Sequence, residues 1–195
     1  TRNVDGKTPL MLASRHGRLA AMQALLSGRA NMRIRDKEGL TALAEAAQHG
    51  HIGVVEMLVA AKAPLNEDNR QNQTPLMLAT RAGHEQVVQL LVDAKADVDA
   101  CGADGLTALT IAASTGRIDI VQVLVAADAA LDVQNHAGET ALIAAAAGGH
   151  ADVVCILLAA GADAEIANND GATALDVAVA HHHAEVVELL RGSRK

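Results

Sequence analysis

Residues 72–100 read NQTPLMLATRAGHEQVVQLLVDAKADVDA, and the start of this stretch recurs along the whole chain. Thr74 ahead of Pro75 is how a helix begins. A hydroxyl caps the first free N–H groups, and a ring with fixed φ suits the first helical position. The string Thr-(Pro/Ala)-Leu stands at 8–10, 41–43, 74–76, 107–109, 140–142 and 173–175, a spacing of 33 residues without insertion. Self-similarity at a fixed period of this length marks a repeat architecture.

Three residues after each Leu comes Ala13, Ala46, Ala79, Ala112, Ala145 or Ala178. Gly17, Gly50, Gly83, Gly116 and Gly149 then end the first helix through a left-handed turn. Ahead of the Thr lie Gly6, Gly39, Gly105, Gly138 and Gly171, with Asn72, the usual substitute at positive φ, in the third copy. Val54, Val55, Leu58 and Val59 illustrate the single buried stripe of a second helix. Thr173 and Asp176 have capping-box spacing. No helix of this length is stable alone in water, so neighbouring units must stack to bury a continuous core.

This pattern resembles the ankyrin repeat over the full chain. The resemblance implies an all-α solenoid of helix–turn–helix units joined by β-hairpin finger loops. It spans 1–195 as one domain, with repeats near 3–35, 36–68, 69–101, 102–134, 135–167 and a C-terminal cap at 168–195. Two features depart from the family pattern. The His that usually follows Thr-Pro-Leu is replaced by Met11, Ala44, Met77, Thr110, Ile143 and Asp176. The Gly expected after the second helix survives as Gly161, with Arg29, Lys62, Lys95 and Asp128 elsewhere. Each of these should cost on the order of 1 kcal/mol in a left-handed conformation.

Composition narrows the functions. The chain has no Phe, Tyr or Trp, which argues against base-stacking platforms. Cys101 and Cys155 lack Cys-x-x-Cys spacing and read as reduced thiols of an intracellular, cytoplasmic or nuclear, protein. No apolar run approaches the roughly 20 residues of a membrane span, and no signal peptide appears. Residues 1–98 carry 12 Lys/Arg against 10 Asp/Glu, whereas 99–195 carry 4 against 13, which together give the net charge of −7. A nucleic-acid site would need a continuous positive stripe, and the acidic second half opposes one.

The triplet His181-His182-His183 keeps the period. His183 is the sixth copy of a position held by Arg18, His51, His84, Arg117 and His150, and His182 takes the inter-helix Gly position. Residues spanning a helix end cannot all face one way, so the triplet reads as a repeat boundary and neither a tag nor a metal site. Arg191, where earlier copies have an apolar residue, fits a terminal cap. The first copy is ordinary core, and the chain starts at Thr1 without Met, so a fragment of a longer protein is expected.

No phosphate loop, zinc spacing or nucleophile motif occurs, and Ser14 and His16, two apart on a helix, do not face each other. The expected protein is a non-catalytic scaffold or adaptor, monomeric and without metal or cofactor. The alternative is a regulatory or substrate-targeting segment of a larger enzyme. The resemblance implies docking on the concave face of the first helices and on the loop tips. It places contacts at the helix ends Arg15, His16, Gln48, His49, Arg81 and Ser114. Tip contacts fall at Lys7, Lys37, Leu40, Arg70, Gln73 and Leu106. Glu45 stands where other copies have Leu12, Leu78, Ile111, Ala144 and Val177, looks into the groove, and would take Arg15 or Arg81 as counter-charge. An acidic protein or peptide across repeats one to three fits this set. The resemblance further marks the register of Asn66, Asp99 and Asp132 as one that can be hydroxylated in the family, although Asn66, after Pro64-Leu65, lacks the usual preceding acid.

Overall fold

In the computed structural model, residues 2–192 are described, so the closing Ser193-Arg194-Lys195 of the expected last repeat lie outside the described residues. Two compact units emerge, Thr1–Asp97 and Val98–Lys195. The first holds α1 (Pro9–Arg15), α2 (Leu19–Ser27), α3 (Ala42–Gln48), α4 (Ile52–Ala60), α5 (Pro75–Ala82) and α6 (Glu85–Asp93). The second holds α7 (Ala108–Ser114), α8 (Ile118–Ala126), α9 (Ala141–Gly148), α10 (Ala151–Ala160), α11 (Ala174–Ala180) and α12 (Ala184–Gly192).

Each odd-numbered helix starts where the threonines say it should. Thr8, Thr41, Thr74, Thr107, Thr140 and Thr173 are N-caps, and each side chain accepts the N–H three residues on. Thr173 completes a capping box with Asp176. Met11 and Met77 offer sulfur to the N-cap N–H in the same geometry.

Within each unit the first helices stack in one layer and the second helices in another. α1, α3 and α5 pack side by side in the first unit, as do α7, α9 and α11 in the second. The first layer is built from Ala and Leu: Ala46, Ala47, Ala79, Ala112, Ala113, Ala145 and Ala146 are completely buried. Small side chains let short helices approach closely, which is how a chain without aromatic residues fills its interior. The second layer buries a narrow stripe of each helix, such as Val54, Val55 and Leu58 on α4.

The loops between helix pairs end in tight five-residue tips, not in paired strands. Among the described residues the bridge Ala167–Thr173 is the single β-pairing. Each tip is closed by an N–H to carbonyl bond, as from Asp36 to Leu40 and from Asn69 to Gln73. Five tips are braced by the side chain of their first residue. Asn3, Asp36, Asn69, Asn135 and Asn168 each accept two N–H groups, two and four residues on. The fourth tip begins with Gly102 and has no such brace; there Asp104 accepts the Leu106 N–H instead. Neighbouring tips hold hands through the backbone: Arg70 N–H donates to the Glu38 carbonyl, and His136 N–H to Asp104. At Gly39, φ is +86° and a Cβ would stand 3.0 Å from the Arg70 nitrogen, so both backbone shape and tip spacing require glycine.

Candidate functional site

The expected contact residues divide into two groups in the structure. Arg15, His16, Gln48, His49, Arg81 and Ser114 are exposed at the C-terminal ends of first helices, and Lys37 and Arg70 are exposed on tips. Gln73 and Leu106 are half-buried. Lys7, Leu40 and Glu45 are buried at 8%, 5% and 1% exposure, which corrects the reading of Lys7 and Leu40 as free tip contacts and of Glu45 as facing a groove.

One register rule explains all three. At Lys7 and Leu40 the residue just before the N-cap threonine folds down from the tip onto the fourth residue of the next first helix. Leu40 does this conventionally and clusters with Ala44 and Leu78. Lys7 does the same with Glu45 beneath it. Its Nζ donates to the Glu45 carboxylate and to Asp36. The counter-charge of Glu45 is therefore Lys7, and neither Arg15 nor Arg81, which stay exposed.

Electrostatics within this cluster are tight. Burial works against a charged Lys7, but hydrogen bonds and charge from Asp36 and Glu45 outweigh it, and Lys7 titrates above the ordinary lysine value. Burial likewise penalises the Asp36 carboxylate. The hydrogen bonds from Lys7 and from the Leu40 and Glu38 N–H groups overcome that penalty and hold its pKa below the usual range. Glu45 is less well served: its Oε2 has no hydrogen-bond partner, and His49 Nδ1 stands 3.8 Å away while lying 2.9 Å from the Glu45 carbonyl oxygen. Opposite signs at the two paired registers, Lys7 and Glu45, are visible in the sequence once the rule is known.

Two further recurrent contacts are structural. His51, His84, His150 and His183 place Nε2 2.9–3.2 Å from the carbonyls of Arg15, Gln48, Ser114 and Ala147, each 36 residues back. The rings lie so close to the preceding inter-helix glycine that a Cβ on Gly50 would sit 2.6 Å from His84. The histidine triplet takes its place in this ladder. His183 makes the bond to Ala147, His182 adopts the left-handed turn at φ +61°, and His181 closes α11 with its ring stacked 6.0 Å from that of His183. Asn66, Asp99 and Asp132 each accept an N–H from the next repeat, from Asp97, Ala130 and Asp163 respectively.

The second unit has its own opening. A cavity of about 470 Å³ lies between the fourth and fifth tips above α7 and α9, and it joins Leu106 to Ser114. Its floor includes Ala144, where the first unit has Glu45 and Leu78. No helix among the described residues is long and apolar enough to cross a membrane.

Models of the ankyrin-repeat family match the chain in three copies, over residues 1–69, 61–135 and 127–195. A search of curated proteins returned no match.

Proposed function

The chain belongs to the ankyrin-repeat family, whose members are generally protein–protein interaction modules and typically non-catalytic, and on that premise we propose that its first unit binds an acidic segment of a partner protein. The observation that supports this is how its cations are distributed. Lys7, Arg33 and Arg35 are engaged internally, with Asp36, Glu45, Glu67 and Asp68 as partners. Arg15, Lys37, Arg70 and Arg81 are exposed, and among the described residues none of the four is in an ion pair. They bracket the first helices, Lys37 and Arg70 before the N-termini of α3 and α5, Arg15 and Arg81 at the ends of α1 and α5. His16, Gln48 and His49 add hydrogen-bonding groups beside the two helix-end arginines.

A partner segment lying along the concave face of repeats one to three would meet this set. Without Tyr or Trp, the anchors are arginines, whose planar guanidinium matches a carboxylate bidentately. Binding then rests on charge and falls with salt. The test is affinity capture at low and moderate salt with the parent chain and the double variant Arg15→Glu, Arg81→Glu. Partners held by the parent and released by both the variant and added salt support the reading. Partners held through both changes overturn it.

A further inference from the structure

In the first unit, the tip residue Leu40 seals the gap above Leu78. In the second unit the same two registers hold Leu106 and Ala144, and the gap stays open. An alanine is too short to meet the leucine above it, and the cavity of about 470 Å³ is the result. That volume lies within the roughly 300–1,000 Å³ typical of ligand sites. Leu106, Ala137 and Ala144 offer it only aliphatic side chains. The hydroxyls at its floor are already engaged, Ser114 with the Ile111 carbonyl and Thr110 with Thr107.

Its rim is acidic. Glu139 accepts from Asn135 through one carboxylate oxygen, and Asp104 accepts the Leu106 N–H through one of its own. Each keeps a second oxygen, and among the described residues neither carboxylate has a Lys or Arg partner. Residues 99–192 carry just two such cations, Arg117 and Arg191, and neither lines the cavity. The surroundings reinforce the sign, since residues 99–195 hold 13 carboxylates against 4 Lys/Arg. The fourth tip, which carries Asp104 and Leu106, is also the one whose first residue, Gly102, supplies no side-chain brace.

We propose that this cavity is a docking site for an arginine side chain of a basic peptide segment. The methylene stem lies on Leu106 and Ala144, and the guanidinium reaches Glu139 and Asp104. Arginine suits the site better than lysine. Its head is more weakly hydrated, so it gives up less on entering an aliphatic cleft, and its fork matches the rim carboxylates. The acidic surroundings speed encounter with a basic segment and repel an acidic one. This surface lies in the other unit from the one proposed above and prefers the opposite charge, so either can fail without the other.

The experiment uses short fluorescein-labelled Gly/Ser peptides with a central Arg, Lys, Leu or Glu pair, titrated with the full chain and read by fluorescence anisotropy. Tightest binding is expected for Arg, weaker binding for Lys, and none for Leu or Glu. Asp104→Asn with Glu139→Gln should weaken the Arg peptide about tenfold or more, as loss of charge-assisted hydrogen bonds implies. Ala144→Leu, which copies Leu78, should fill the cavity and abolish binding with the helical circular dichroism unchanged. Asp119→Asn with Asp152→Asn, an equal charge change on the second-layer helices α8 and α10, should leave binding intact, as should Arg15→Glu with Arg81→Glu. A Leu peptide that binds as well as the Arg peptide overturns the proposal. So does a loss at Asp119 and Asp152 equal to that at the rim, or full binding by Ala144→Leu. Were Ala144→Leu to unfold, the rim variants against their charge-matched control decide the matter.

Discussion

Lys7→Ala should be among the most damaging single substitutions in the first unit. Lys7 neutralises two carboxylates whose side chains are each 1% exposed, while its own is 10% exposed. Removing one partner from a buried ion pair typically costs about 3–5 kcal/mol, because the remaining charge is left without compensation. Here the penalty concentrates on Glu45. Asp36 keeps the N–H groups of Glu38 and Leu40, whereas Glu45 Oε2 already lacks a partner. The pair Lys7→Leu, Glu45→Leu recreates the Leu40–Leu78 contact, and replacing buried ion pairs with packed apolar residues ranges from neutral to about 1–4 kcal/mol stabilising. The double variant should therefore recover most of the Lys7→Ala loss, short of the parent by what Asp36 gives up with its Lys7 bond. Urea unfolding followed by far-ultraviolet circular dichroism is the assay, since the chain lacks Trp and Tyr for intrinsic fluorescence. The pH dependence has a defined sign. Lys7 titrates above 10.5 in the folded chain, so its contribution is complete below that value and is lost as pH rises through the folded pKa. Asp36 titrates below 3.8, so its contribution is complete above that value and is lost as pH falls through the folded pKa. A Lys7→Ala chain within about 0.5 kcal/mol of the parent, the range of ordinary surface substitutions, would refute the reasoning. So would a double leucine variant no better than Lys7→Ala.

Three further outcomes are expected. Lys62, Asp128 and His182 adopt φ of 61°, 59° and 61°, so glycine at each should raise stability by about 0.5–1 kcal/mol after glycine's own entropic cost, measurable as a higher urea midpoint. Gly50→Ala places a Cβ 2.6 Å from the His84 ring at φ +71°, and a loss of about 2 kcal/mol or more is expected; thermal melts of Gly50→Ala and of Gly50→Ala with His84→Ala separate collision from backbone strain, since only the collision is relieved in the pair. His150→Ala should cost about 1 kcal/mol, one hydrogen bond to the Ser114 carbonyl, and be felt in the second unit; an unchanged melt would remove the histidine ladder from the stabilising contacts.

The repeat period made the helices legible because capping is local. A threonine hydroxyl reaches an N–H three residues away, so the N-caps, the helix starts and the left-handed turns at Arg29, Lys62, Lys95 and Asp128 follow from short stretches of sequence. The histidine triplet was legible for the same reason: its register fixed His183 as the ladder residue and His182 as the turn. What short stretches do not carry is a contact 38 residues long. Lys7 and Leu40 look like exposed tip residues between polar neighbours, and only the stacking of one tip over the next first helix buries them. The same nonlocal pairing hid the cavity, since neither Leu106 nor Ala144 is unusual alone. Taken together, the two registers distinguish three of the tips by what lies beneath: Lys7 over Glu45 closes with charge, Leu40 over Leu78 closes with carbon, and Leu106 over Ala144 leaves room. A fold whose repeats are built to one template thus gains an individual site by shortening one side chain, without altering a helix or a cap.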